Sequence, residues 1–284
     1  MSGDQFLDDS FAGVLFNPGQ TIDADKYFII MPDMIGHGKS SKPSNTGLRA
    51  KFPSYQYSDM VRANQLLLTE HLGVNHTRLV LGVSMGGMLT WMLGEQHPNF
   101  TDALMPIASL PVEISGQNRL WRKFMIELIR TDAAWKGGDY ETQPLASMSG
   151  VLALAQVMFS SSTYYQRKYP TREAMDKYVD GLLPYVPTYD ANDLLYQWNA
   201  SYTYDAEASL MAINKPLTAV NTADDLMNPP ELHILERVVK RQMQTGIGKA
   251  VVIPTSNQTI GHGSYILAKV WEEELRMLLA TTQK

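Results

Sequence analysis

The stretch "LGVSMGGM", residues 81–88, lies between the apolar run "TRLVLGV" and the segment "MLTWMLGEQHP". A short, continuous apolar run reads as a strand buried on both faces, and the apolar segment closed by Pro98 reads as a helix. Ser84 therefore stands at a strand-to-helix turn inside a G-x-S-x-G pattern formed with Gly82 and Gly86. Such a turn is sharp enough to strain the serine's backbone and to crowd its neighbours, and glycines at 82 and 86 are expected to relieve the crowding. The turn lifts the hydroxyl above the end of the sheet and points the start of the next helix at it. The sequence thus predicts Ser84 as a nucleophile, with the Met85 amide donating to a developing oxyanion.

A serine hydroxyl needs a base before it can attack a carbonyl, and the chain holds six histidines. In the chain order usual for this turn, the base comes last, after an acid. His37, His71 and His76 precede Ser84; His97 ends the serine's own helix, and His233 falls inside another predicted helix. His262, in "TIGHGSY" after the last predicted strand, remains, and Gly261 and Gly263 let its backbone approach closely. The acid belongs at the carboxyl end of the preceding strand. There "AVNTADDLMNPP" offers Asp224 and Asp225.

Strands and helices alternate along the rest of the chain. Strands are predicted at "KYFIIMPD" (26–33), "RLVLGV" (78–83), "DALMPIA" (102–108), "KPLTAVNT" (215–222) and "KAVVIP" (249–254). Helices are predicted at "SDMVRANQLLLTEHLG", capped by Ser58 and ended by Gly73, after Ser84, at "PELHILERVVKRQM" and at "YILAKVWEEELRMLL". This alternation implies an α/β protein with a mostly parallel, doubly wound sheet. Between about 111 and 210 no strand is evident, and "RLWRKFMIELIR", "VLALAQVMF" and "REAMDKYVDGLLPYV" read as helices. The expected organisation is a core of residues 1–110 and 211–284 interrupted by a helical lid, 111–210, over the carboxyl edge of the sheet. Its Met, Trp and Tyr residues suit helix packing or the wall of an apolar pocket.

Composition narrows the function classes. A net charge of −5 with mixed rather than blocked charges argues against a nucleic-acid partner. No apolar run approaches the ~20 residues that span a bilayer, and "MSGDQFLDDS" is too polar for a signal peptide, so the expectation is a soluble, cytoplasmic protein without a membrane partner. The absence of cysteine excludes disulfides and thiol nucleophiles. No metal-ligand or nucleotide-binding motif is evident, and the chemistry reads as cofactor-free, on a small-molecule acyl substrate.

Taken together, these features resemble the α/β-hydrolases, in the branch similar to homoserine O-acetyltransferases. "FNPGQTIDADKYFII", "DMVRANQLLLTEHLG" and "SMGGM" look like that branch's strand entry, helix and elbow. "TDAAWKGGDY" and "YDANDLLY" look like its lid segments, and "DDLMNPPE" and "GHGSY" like its acid and base loops. In the family the acid stands four residues before the loop's first proline, which here selects Asp225. Arg122 matches an arginine that lines the acyltransferases' substrate tunnel. The resemblance implies an acyl-enzyme mechanism: esterase if water accepts the acyl group, acyltransferase if an alcohol such as homoserine does, with a non-catalytic binding protein as a third reading.

Two departures from the family pattern are evident. "DMIGHGKSSKPS" has the ordinary hydrolase form D-x-x-G-x-G-x-S, in which Asp33 and His37 are expected to be structural turn residues. Family members also carry an upstream strand ending in an H-G-x-x-G loop, and "SGDQFL" looks like that loop's tail. In the family that strand lies between those read here at 27–32 and 77–83, and its loop gives the second oxyanion amide. Without it, low activity and exposed edges are expected, leaving the chain poorly soluble or dimeric.

Overall fold

In a computed structural model, residues 10–242 and 246–282 are described; "SGDQFL" lies outside them. Four parallel strands, β1 (Val80–Val83), β2 (Leu104–Ile107), β3 (Leu217–Thr222) and β4 (Gly248–Ile253), pair in the order β1-β2-β3-β4. Val80 opposes Leu104, and Leu217 opposes Gly248, so the carboxyl ends of the strands lie along one side of the sheet.

The helices are α1 (Ala12–Leu15), α2 (Tyr57–Leu66), α3 (Met85–Gln96), α4 (Gly116–Thr131), α5 (Leu145–Phe159), α6 (Ser162–Lys168), α7 (Arg172–Leu182), α8 (Ala191–Asn199), α9 (Ile234–Gln242) and α10 (Glu272–Thr281). On one face of the sheet, Met60 and Val61 of α2, Trp91 and Leu93 of α3 and Leu235 and Val238 of α9 form a continuous apolar layer. On the other, Leu15 of α1 packs with Trp271 and with Leu275 and Leu278 of α10. Helices thus cover both faces, as a parallel sheet requires. Apolar residues of α4, α5 and α8 meet in a third cluster, which also holds Met227 from the loop after β3.

The stretch 26–33 departs from expectation: it forms no strand. A strand exists through its ladder, and among the described residues β1 ends the sheet with no partner beyond it. Phe28 in this stretch is 80% exposed, where a buried strand would have hidden it. The first long helix starts at Tyr57 rather than after Ser58, because the Asp59 carboxylate accepts from the Gln56 amide at 2.8 Å. The segment predicted from 230 is broken at His233, whose positive φ of 51° separates a short turn from α9.

Candidate active site

Ser84 links β1 to α3 with φ 51° and ψ −114°, backbone angles that few residues other than glycine adopt. Its amide donates to the Ile107 carbonyl at 2.8 Å, which anchors the turn to β2. Gly82 explains the turn's sharpness: a Cβ there would overlap the Gly86 carbonyl and the Thr90 hydroxyl. Gly86, expected to relieve crowding by its own lack of a side chain, faces open space; its backbone is what crowds Gly82. Met85 is the first residue of α3, where amides lack intrahelical acceptors.

His262 reaches Ser84 from the loop after β4, its Nε2 standing 2.8 Å from Ser84 Oγ. The loop fits only because residue 261 is glycine, with φ 81° and with space for a Cβ already filled by the Ser160 carbonyl carbon, 2.6 Å away. On the other side of the ring, Nδ1 lies 2.9 Å from Asp225 Oδ2. Phe159 at the end of α5 and Tyr265 flank the imidazole, with ring centroids at 5.5 and 5.3 Å.

Asp225 is fully enclosed but well solvated by the protein. Its Oδ1 accepts from the amides of Met227 and Asn228 at 2.8 and 3.1 Å, and its Oδ2 also accepts from the Asn228 side chain at 3.2 Å. Burial pushes its pKa up, but the charge and hydrogen bond of His262 and the hydrogen bonds from Asn228 outweigh this and hold it below the ordinary aspartate value. An ionised Asp225 fixes the His262 tautomer with the proton on Nδ1, leaving Nε2 free to accept from Ser84.

The adjacent Asp224 points elsewhere. Its Oδ2 accepts from the Ser161 and Thr259 hydroxyls and the Gly261 amide, each at 3.0 Å, so it ties the start of α6 to the His262 loop. Asp33 accepts from the Lys39 amide at 2.9 Å within its own turn, and His37 is buried with Nδ1 3.1 Å from the Ile35 carbonyl. Arg122 is buried rather than exposed: Nε donates to Asn118 at 2.7 Å, Nη1 donates to Ser201 at 3.0 Å, and the guanidinium lies over Trp198. Asn118 in turn donates to the Met227 carbonyl at 3.1 Å, which joins α4 to the Asp225 loop.

Asn228 was not singled out by sequence. It donates to Ala108 at 2.9 Å as well as to Asp225, and so fixes the acid loop to the end of β2. An asparagine just before two prolines was the available signal, since such residues build turns by bonding their own backbone. Among the described residues, no group of three or more His, Cys, Asp or Glu side chains is arranged to hold a metal ion.

The model of the α/β hydrolase fold family matches residues 13–240. A homoserine O-acetyltransferase of Pelobacter propionicus is 27% identical, across 94% of this chain and 79% of its own length. An ethyl acetate hydrolase of Pseudomonas veronii is 31% identical, across 64% of this chain and 54% of its own. Among solved structures, the acetyl esterase MekB superposes with a TM-score of 0.85 at 23% identity, covering 99% of this chain and 84% of that one. The homoserine O-acetyltransferase of Bacillus anthracis gives 0.80 at 22% identity, with 94% and 80% covered. The chain belongs to the α/β hydrolase fold family, in the branch that resembles the homoserine O-acetyltransferases.

Proposed function

We propose that this chain is a serine hydrolase that cleaves small carboxylic esters through an acyl-enzyme on Ser84. The observation that carries the proposal is the continuous hydrogen-bonded line Ser84 Oγ, His262 Nε2, His262 Nδ1, Asp225 Oδ2, with links of 2.8 and 2.9 Å. Ser84 Oγ attacks the ester carbonyl and passes its proton to His262 Nε2. Asp225 stabilises the imidazolium, and the Met85 amide at the start of α3 donates to the carbonyl oxygen as it gains charge. The imidazolium then gives the proton to the leaving alkoxide, and the acyl group stays on Ser84. Water activated by His262 releases the acid in the second half.

The helical segment 111–210 acts as a lid in this reading. Support comes from Phe159 beside the His262 ring, Ser160 against Gly261 and Asn118 on the Met227 carbonyl, three contacts from two separate parts of the segment with the candidate active-site loops. A second reading, acyl transfer to an alcohol, is favoured by Arg122: it is buried beside the acid loop and has no carboxylate partner among the described residues. An acceptor carrying a carboxylate would suit it.

Product analysis separates the two. Protein incubated with p-nitrophenyl acetate, or with acetyl-CoA and homoserine, is expected to give acetate from the ester and little O-acetylhomoserine. O-acetylhomoserine as the main product would replace hydrolysis by acyl transfer. Failure of both p-nitrophenyl acetate and acetyl-CoA to acylate Ser84 would overturn both readings.

A further inference from the structure

Away from Ser84, α4 and the end of α8 form a half-open pocket of about 370 Å³ lined by Arg119, Lys123, Ile126, Arg130, Asn199 and Tyr202. Three of these six are cationic, on a chain whose net charge is −5. They sit at positions 119, 123 and 130 of one helix, spacings of four and seven that bring side chains to a common face. Glu127 on the same helix is the adjacent carboxylate, 2.6 Å from Lys123 and 3.5 Å from Arg130. One carboxylate leaves the cluster with an excess of two positive charges.

Arg119 is the most telling member. Its guanidinium lies over the Tyr202 ring, 4.8 Å from the centroid, and its buried Nη1 has no hydrogen-bond partner among the described residues. Arg119 also lines the pocket, and a guanidinium N–H turned toward it would donate to an oxyanion there. The contact with the Tyr202 ring holds the guanidinium at the pocket wall. A guanidinium fork, an ammonium and a second guanidinium together offer more donors than the two oxygens of a carboxylate can accept, and they match the three oxygens of a phosphate group. The volume suits a small ligand rather than a bare ion.

We propose that this pocket is a binding site for the phosphate group of a small molecule, separate from the Ser84 site. The phosphate oxygens take the Arg119 fork and the Lys123 ammonium, Arg130 closes the outer side, and the Asn199 amide is available to the ester portion. Lys123 shifts from Glu127 to the ligand, and Arg130 retains the carboxylate.

The test is isothermal titration calorimetry with inorganic phosphate, glycerol 3-phosphate and malonate at matched ionic strength. Ser84→Ala protein is used so that binding is read without turnover and independently of the proposed hydrolysis. Saturable binding of the two phosphates is expected. Arg119→Gln should weaken it about tenfold or more, as loss of a charge-assisted hydrogen bond does. Lys123→Gln, at a side chain more than half exposed and so safe for folding, should also weaken it, while Lys249→Gln on β4 leaves it unchanged. Absence of saturable phosphate binding, equal binding of malonate, or equal loss in Lys249→Gln would each overturn the proposal.

Discussion

Ser84, Asp225 and His262 have distinct proposed roles that single substitutions separate. Ser84→Ala and His262→Ala are expected to lower kcat on p-nitrophenyl acetate by about 10⁶-fold, with far-UV circular dichroism unchanged. Asp225→Asn should cost about 10⁴-fold, because an amide at this position donates to His262 Nδ1 and favours the wrong tautomer. Asp224→Asn makes the contrast. It weakens bonds to Ser161, Thr259 and Gly261, so the expected loss is ~1–3 kcal/mol of stability, read by urea denaturation, with kcat reduced far less than by Asp225→Asn. A larger loss of kcat at Asp224 than at Asp225 would reverse the assignment. Both aspartates end the same strand in the same sequence context, and the residues alone left the choice between them open. The family spacing to Pro229 selected Asp225, and the geometry gives the physical difference: one carboxylate faces an imidazole, the other a pair of hydroxyls and an amide.

Among the elements, the helical segment divides into side chains that pack its interior and side chains that face the candidate active site. Met125 is fully buried between α4, α5 and α8, so Met125→Ala is expected to cost ~2–5 kcal/mol of stability. Phe159 instead stands over His262. Phe159→Ala should shift preference toward longer acyl chains, read as the ratio of kcat/KM for p-nitrophenyl butyrate to that for the acetate. An unchanged ratio would remove Phe159 from the acyl site. Helical spacing made α4, α5 and α7 legible in sequence, since local periodicity marks an amphipathic or buried helix. The stretch 26–33 was not legible in the same way. Its apolar run has strand composition, but strand formation is decided by a partner, and local composition carries no information about whether one lies alongside.

At the scale of the whole molecule, buried His37 and half-buried Glu95 have opposed effects on stability. Burial lowers His37 from 6.5 to about 3, so between those values the unfolded chain holds more protons and His37 makes stability rise with pH. Burial raises Glu95 from 4.5 to about 7, so between those values the folded chain holds more protons and Glu95 makes stability fall with pH. From pH 4.5 to 6.5 the two slopes oppose each other. Melting temperatures across this range are expected to rise more steeply with pH in Glu95→Gln than in the parent protein, and to rise less or fall in His37→Gln. Parallel profiles in all three would show that neither group is perturbed in the folded chain. The elbow at Ser84 and the loop at His262 were readable because glycines at fixed offsets mark backbone that must pass close to other atoms, as Gly82 and Gly261 do. Asn228 and the contacts of Asn118 were not, because they join residues from distant parts of the chain.

The central claim, that Ser84 is a nucleophile activated by His262 and Asp225, is tested most directly by intact-mass spectrometry after reaction with a fluorophosphonate. One phosphonyl group per chain, mapped to Ser84 by peptide sequencing and lost in both Ser84→Ala and His262→Ala, is the predicted result. No adduct on the folded protein, or an adduct that persists in Ser84→Ala, would contradict it.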